Sequence, residues 1–383
     1  MNPKPMLFPF VDLKAQYGQL KTQIDARIKR VLDHGQFILG PEVAELEQRL
    51  ASLTGSRHCI SCASGTDAML IALMALGVGP GDEVITPSFT FIATAEVIAL
   101  VGATPVFVDV DKRTCNLDAT KLRSAFTART KAVMPVSLYG QPADMNEINA
   151  IAVEFGVPVI EDAAQSFGAE YQGRWSCNLS LIGCTSFFPS KPLGCYGDGG
   201  AIFTDDDELA QAMREIRVHG QSGRYLHTRI GIGGRMDTLQ CAIVLAKLDA
   251  FELEIANRLE VGQRYTRLLE TGADQVEVVR VKPDRTSVYA QYTILVENRA
   301  AVQKALQNEG IPTAVHYPAP IHRQPAYARW AAKADCPVSE QLADKVLSLP
   351  MHAYLDEPTQ ARIVAALARA TASSIWPTAA IQG

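Results

Sequence analysis

The sequence predicts an α/β protein with a large, mostly parallel seven-stranded sheet and a smaller α+β region after it. Three observations predict it. Short apolar runs rich in β-branched residues alternate with helical patterns from about residue 15 to 250. Seven such runs occur, and parallel strands need crossover helices that cover both sheet faces. Beyond Phe251 the alternation weakens into a mixed pattern.

The elements follow in order. Tyr17, Leu20, Ile24, Ile28 and Val31 recur at three- and four-residue steps, marking an amphipathic helix that His34-Gly35 ends. Val43, Leu46, Leu50 and Leu53 repeat the pattern, and Gly55 stops it. The strand runs are Cys59–Ala63, Glu83–Thr86, Pro105–Val110, Ala132–Val136, Val157–Ile160, Cys184–Phe188 and Ala201–Thr204. Helical stretches Thr66–Leu76, Thr94–Val101 and Asn146–Phe155 lie between them. One helix from Met236 to about Leu268 is expected to join the two parts. Gln291–Val296 reads as a strand, and Ala301–Asn308 and Pro358–Ala370 read as helices. The expected division is 1–250 for the large domain and 251–383 for the small one.

Composition narrows the function classes. Of 383 residues, 48% are hydrophobic and 20% charged, the balance of a globular protein. The net charge of -5 gives no electrostatic reason to expect nucleic acid or an anionic membrane as partner. The longest uncharged apolar run, Ala68–Gly79, is too short for a membrane span of roughly 20 residues. The first ten residues lack the apolar stretch of a secretory signal, so a cytoplasmic protein is expected. Eight cysteines are too few for a disulfide framework. Cys59 and Cys62 form a CxxC, but they sit in an alternating apolar run without a second pair at metal-site spacing, which reads as buried strand cysteines.

Ligands of open parallel sheets sit at the carboxyl ends of strands, so the strand-to-helix junctions carry the search for chemistry. At Ala63-Ser64-Gly65-Thr66-Asp67, a strand ends and an apolar helix begins. The free N–H groups of Gly65 and Thr66, with the Thr66 hydroxyl, can hold a phosphate, although simple helix capping explains the same residues. No GxGxxG or P-loop pattern accompanies them, which disfavours a dinucleotide or NTP. At Val159-Ile160-Glu161-Asp162, an apolar run meets two carboxylates. Asp162 is either a strand-end acid that needs a cation or a helix cap. In Ser186-Phe187-Phe188-Pro189-Ser190-Lys191-Pro192, a lysine is held between prolines ahead of a Gly-rich turn. Such a lysine is suited to a lowered pKa and bond formation with a carbonyl.

Together these are the groups pyridoxal 5′-phosphate requires: a phosphate cradle, an acid to keep the pyridine nitrogen protonated, and a lysine for the aldehyde. Ser186 extends the cradle. Phe91, in Pro87-Ser88-Phe89-Thr90-Phe91, either stacks on the ring or packs in the core.

The ordered motifs resemble the DegT-type sugar-nucleotide aminotransferases, a branch of the fold-type I pyridoxal-phosphate enzymes. The resemblance runs from Phe10-Val11-Asp12-Leu13 to Ser348-Leu349-Pro350-Met351-His352. It includes Gly40-Pro41-Glu42, Ser64-Gly65-Thr66, Gly79-Pro80-Gly81-Asp82-Glu83-Val84, Glu161-Asp162-Ala163-Ala164-Gln165, Ser186-Phe187 with Lys191, Gly197-Asp198-Gly199-Gly200, His219-Gly220 and His316-Tyr317-Pro318. Val136-Ser137-Leu138-Tyr139-Gly140-Gln141 and the run from Cys184 to Gly200 are most similar to the subgroup that aminates UDP-2-acetamido-2-deoxy-3-oxo-glucuronate for bacterial surface polysaccharide.

The resemblance implies that Lys191 anchors the cofactor and shuttles the proton, and that Asp162 pairs with the pyridinium. It places Gln165 beside the ring near its 3′ oxygen. It gives the phosphate to Gly65, Thr66 and Ser186, and one ring face to Phe91. His316 and Tyr317 would meet the sugar nucleotide, or form an ordinary loop pair. The family often has an Asn two residues before Arg235, reaching the cofactor phosphate of the neighbouring subunit; here it is Gly233. Arg235 would take over part of that cross-subunit role, meet a substrate carboxylate, or stand as a surface residue before a helix. Lys191 favours transamination, since family members with His there are dehydratases. The expected reaction is ping-pong, from L-glutamate to a UDP-linked 3-keto sugar, in a homodimer with shared active sites. The rival readings are another keto sugar nucleotide, a lyase or racemase of the same fold, and a non-catalytic regulator.

Overall fold

The computed structural model describes residues 7–273 and 275–374. A strand overlaps each of the seven expected runs, with shifted bounds and in two sheets rather than the single one expected: β1 (His58–Cys62), β2 (Glu83–Pro87), β3 (Thr104–Val108), β4 (Thr130–Val133), β5 (Ile160–Asp162), β6 (Ile182–Ser186) and β7 (Gly200–Thr204). They pair as a four-stranded sheet, β1-β7-β6-β5, and a three-stranded sheet, β3-β2-β4. Isolated parallel bridges, Val133 to Val159 and Val136 to Asp162, link the two sheets between β4 and β5. The strands β2, β3 and β4 pair parallel, as do β5 and β6. β7 runs antiparallel to both of its neighbours, β1 and β6. Since β7 opposes both, β1 and β6 point the same way. The carboxyl ends of β1, β2, β4, β5 and β6 therefore share one edge.

Helices cover the sheets as the apolar periodicity requires. They are α1 (Leu13–His34), α2 (Pro41–Thr54), α3 (Gly65–Ala75), α4 (Ala93–Leu100), α5 (Met145–Glu154) and α6 (Asp207–Arg217). Gly35 ends α1 in the left-handed region at φ 70°, where a side chain would be strained. The hydrophobic α3 is packed among Ile60, Ile160, Ile182, Ile202 and Met213. It is a core helix, and its N-terminus is thereby fixed against the strand ends.

The single connecting helix expected from Met236 to Leu268 is corrected. The chain makes two helices, α7 (Thr238–Leu248) and α8 (Phe251–Gly272), separated at Asp249-Ala250. The apolar spacing continues through the break, so periodicity alone could not show it. Phe251, at the start of α8, packs with α2 and α7 residues, whereas Val261, Tyr265 and Leu269 belong to a separate core. That second core is built on β8 (Glu277–Val278), β9 (Tyr292–Leu295), α9 (Arg299–Asn308), β10 (Val346–Leu349) and α11 (Glu357–Ser374), whereas α10 (Pro337–Lys345) packs Leu342 and Ala343 with Phe89 and Val110. β8, β9 and β10 form an antiparallel sheet.

All eight cysteines are buried and free, Cys59 and Cys62 among them. Among the described residues there is no cluster suited to a metal ion and no helix long and apolar enough to cross a membrane.

Candidate active site

The first junction is a cradle. Ser64 lies in extended backbone and its Oγ accepts from Asp67 N at 3.0 Å, capping α3. Among the described residues nothing accepts from Gly65 N–H or Thr66 N–H, which leaves two donors at the positive end of the helix. A side chain at position 65 would bring its Cβ to 2.7 Å from Ser186 Cβ, and one at 200 would lie 2.5 Å from the Ser64 carbonyl. The glycines let the start of α3, the end of β6 and the start of β7 pack together. The Ser186 hydroxyl thus joins the Gly65 and Thr66 amides in one concavity that suits a phosphate dianion.

The second and third junctions meet behind it. Asp162 closes β5 and is buried. Its Oδ2 accepts from Thr94 Oγ1 at 2.8 Å and its Oδ1 from Ala164 N at 3.1 Å. Burial pushes its carboxyl up, and those two donors and Lys191 partly offset the shift. Lys191 feels the reverse balance: burial lowers its ammonium to about 8, against the pull of Asp162. A buried carboxylate with two neutral donors has room for a cationic N–H partner, and a lysine with a lowered pKa is neutral often enough to attack a carbonyl or take a proton. These residues and the cradle fit pyridoxal phosphate. Glu161, next to Asp162, points to the other face. Its Oε1 accepts from Ser176 Oγ at 2.7 Å and Ser137 Oγ at 3.3 Å, and its Oε2 from Cys177 N at 2.9 Å. Burial nevertheless pushes its pKa up to about 7.

The remaining candidates meet above Asp162. Gln165 Oε1 accepts from the backbone N–H of Tyr139 at 2.8 Å. Its Nε2 donates to Tyr317 Oη at 3.1 Å. Tyr139 Oη donates to the carbonyl of His316. His316 is half-buried, and burial with the nearby Lys191 charge lowers its pKa to about 4. Phe91 is not a core residue: it is 54% exposed, and its ring lies 6.0 Å from that of Tyr317. Arg235 makes no ion pair among the described residues. The His219 ring fills the space beside Gly233, where a Cβ would meet it at 3.1 Å. A side chain at position 233 would need that ring to give by a few tenths of an ångström. The structure gathers Gly65, Thr66, Asp162, Gln165, Ser186, Lys191, His316 and Tyr317 around one edge, with Phe91 at the rim.

Sequence reasoning missed Thr94 and Tyr139 as supports of this site. No local sequence pattern marks Tyr139; in the structure it stands in the left-handed region at φ 58°, beside Gly140 at 116°, and a non-glycine residue held there marks a constrained turn.

A family model of the DegT/DnrJ/EryC1/StrS aminotransferases matches residues 19–368. The chain belongs to that family. The aminotransferases of this family work with pyridoxal 5′-phosphate. A UDP-2-acetamido-2-deoxy-3-oxo-D-glucuronate aminotransferase of Pseudomonas aeruginosa is 59% identical over 364 residues, 94% of this chain and 99% of the relative. A UDP-N-acetyl-3-dehydro-alpha-D-glucosamine 3-aminotransferase of Acidithiobacillus ferrooxidans is 45% identical, covering 94% of this chain and 97% of the relative. Among solved structures, Streptomyces venezuelae DesV in complex with a ketimine intermediate superposes with a TM-score of 0.92 at 39% identity, over 96% of this chain and 98% of that one. This DegT-family chain therefore has the α/β fold of these aminotransferases.

Proposed function

We propose that this chain moves the amino group of L-glutamate to C3 of UDP-2-acetamido-2-deoxy-3-oxo-glucuronate, for bacterial surface polysaccharides such as lipopolysaccharide O-antigen. The observation that carries the reading is Lys191 with a lowered pKa facing the buried Asp162, beside the Gly65–Thr66–Ser186 cradle. The 59% identity to an enzyme named for that substrate supports the choice of sugar.

Bound pyridoxal phosphate supplies an electron sink for the Cα carbanion of the amino donor. Asp162 keeps the pyridine nitrogen protonated. The amides of Gly65 and Thr66 and the Ser186 hydroxyl hold the phosphate. Phe91 covers a ring face, and Gln165 stands by the 3′ oxygen. Lys191 would hold the cofactor through its aldehyde, and its amine, when free and neutral, would be the group that takes the donor's Cα proton. A pKa of about 8 leaves enough free amine for that task near neutral pH. His316, Tyr317 and Arg235 take the sugar nucleotide.

In this reading residues 1–250 form the cofactor domain and 251–383 a lid-like domain. The protein works in the cytoplasm as a homodimer with shared sites. Phe37, Ile38 and Leu39 support the dimer: these exposed apolar side chains lie along Asp237–Thr238, two residues from Arg235.

The test is amination of UDP- and dTDP-linked 3- and 4-keto sugars with glutamate as donor. One 2-oxoglutarate per amino sugar, greatest with the UDP-3-keto-glucuronate, is expected, and Lys191→Ala should abolish turnover and visible cofactor absorbance. Unchanged activity in Lys191→Ala, or 2-oxoglutarate formation without any sugar acceptance, overturns the reading.

A further inference from the structure

After Tyr317 the chain returns to the large sheet, and buried polar groups hold it there. Ser88 follows β2 and is fixed against β3, its N–H donating to the Val108 carbonyl at 3.0 Å. Its own carbonyl accepts from Ile321 N at 2.8 Å, and its Oγ lies 2.6 Å from His322 Nδ1. His322 Nε2 lies 3.0 Å from Glu340 Oε1, which also accepts from Arg323 Nε at 2.7 Å. Ser88 is fully buried and His322 is 2% exposed. A second anchor follows at the start of α10. The buried Asp109, just beyond β3, accepts from Ser339 N at 2.8 Å, Ser339 Oγ at 2.7 Å and Val338 N at 2.9 Å. Ile321 and Tyr327 pack with Ala95 of α4 and Phe107 of β3.

The donor directions follow from the carboxylate. His322 and Arg323 hold the Glu340 carboxyl below its usual range, so it is ionised and only accepts. His322 Nε2 therefore carries a proton. In a neutral imidazole Nδ1 is then bare and accepts from the Ser88 hydroxyl. In an imidazolium Nδ1 donates, and the Ser88 oxygen accepts. A hydroxyl does either, so the latch holds in both charge states. The order carboxylate, imidazole, hydroxyl is that of a hydrolase, but a fully buried Ser88 meets no substrate.

What the latch joins is the rim of the site. Phe89 and Phe91 follow Ser88 in the chain, and their rings lie 6.4 Å and 6.0 Å from that of Tyr317. We propose that His322 is a positioning residue: bonded to Ser88, it locks the segment after Tyr317 onto the end of β2, so that Phe91 and Tyr317 form one preset wall of the substrate pocket. A wall already ordered spares the binding step the cost of ordering it. The segment keeps its place on the cofactor domain whatever the rest of the lid-like domain does. Among the described residues neither His322 nor Ser88 bonds Lys191, Asp162 or the phosphate cradle. Their influence reaches the substrate through Phe91 and Tyr317 and leaves the proton transfer alone. Calling the pocket a sugar's rests on the aminotransferase reading; the latch does not.

The test compares two replacements of His322 in the holoenzyme. His322→Asn places a polar atom where Nδ1 stood and keeps the Ser88 bond. His322→Gln places one where Nε2 stood and keeps only the Glu340 bond. Amide exchange of the peptide 317–327, read by mass spectrometry, should quicken roughly three- to tenfold in His322→Gln, about the worth of one hydrogen bond, and stay near wild type in His322→Asn. The peptides holding β9 and β10 should not change. The KM for the sugar acceptor should rise by a similar factor in His322→Gln, with kcat and the visible cofactor band nearly kept. Ser88→Ala removes the other half of the bond; it should reproduce His322→Gln, and it serves should that variant fail to fold. Wild-type exchange and KM in folded His322→Gln or Ser88→Ala, or equal losses in His322→Asn and His322→Gln, overturn the proposal. Absence of glutamate turnover in the wild type would instead refute the aminotransferase reading and leave the exchange result standing.

Discussion

Thr94→Val is the sharpest probe of the Asp162 environment. Valine keeps the shape and removes the hydroxyl that donates to Oδ2 at 2.8 Å. The buried carboxylate then retains the Ala164 amide alone, at 3.1 Å. Leaving a buried charged acceptor short of one donor costs about 1.5–3 kcal/mol. At roughly 2.1 cal/mol/K per residue, a chain of 383 residues unfolds with an entropy of about 0.8 kcal/mol/K. The apoprotein should therefore melt about 2–4 °C lower at pH 8. The pH dependence has a definite sign. Burial raises the Asp162 pKa in the folded state, so the folded protein holds this proton more tightly than the unfolded chain and loses stability as pH rises through the raised pKa. The substitution raises that pKa further. The deficit should be largest at pH 8 and shrink as pH falls and Asp162 protonates. Saturating pyridoxal phosphate, whose pyridinium restores a partner, should shrink it too. Calorimetry of apo and loaded protein across pH measures all three effects. Equal melting temperatures at pH 8, or a deficit that grows on acidification, would refute the reasoning.

The remaining predictions concern neighbouring groups. Gly65→Ala brings a Cβ to 2.7 Å from Ser186 Cβ, and should weaken cofactor binding more than tenfold in an absorbance titration, with a smaller loss in melting temperature. Since burial holds Lys191 near 8, the single-turnover rate with glutamate should rise with pH and level off above about 8, because only the neutral amine takes the proton; a rate that falls over that range contradicts this role. Glu161, raised to about 7, is already half-way to neutral, so Glu161→Gln should stay within about 1 kcal/mol of wild type in denaturant melts, whereas Glu161→Ala, which strands Ser176 and Cys177 N, should cost more than about 2 kcal/mol.

The sequence revealed the groups whose chemistry is unusual for their position. A lysine between prolines, an acid ending an apolar strand and a Ser-Gly-Thr at a helix start stand out because each breaks a local rule. Thr94 and Tyr139 did not, being ordinary residue types given meaning by partners 68 and 177 positions away. The strands were legible as apolar runs, but the reversal of β7 between β1 and β6 was not, because a short buried run reads the same in either direction. The break at Asp249-Ala250 was hidden because residues on both sides continue the helical spacing. Phe91 was expected either on the cofactor ring or in the core; it is exposed beside Tyr317, a placement that no local pattern encodes.

The reversed strand also bears on how the chain reaches its working form. Pairing of β6 with β7 is local: Ser186 meets Gly200 across the Lys191 loop. Pairing of β7 with β1 joins Cys62 to Gly200, and so encloses most of the large sheet within one chain loop. Contacts of such long separation carry the largest loop-closure cost and dominate the contact order. Ser64 and Gly65 meet Ser186 only once that register is set. Phosphate affinity is thus a property of the completed topology, absent from any partly zipped intermediate. By mass action, cofactor in the surrounding solution draws the folding equilibrium toward the one arrangement that can hold it.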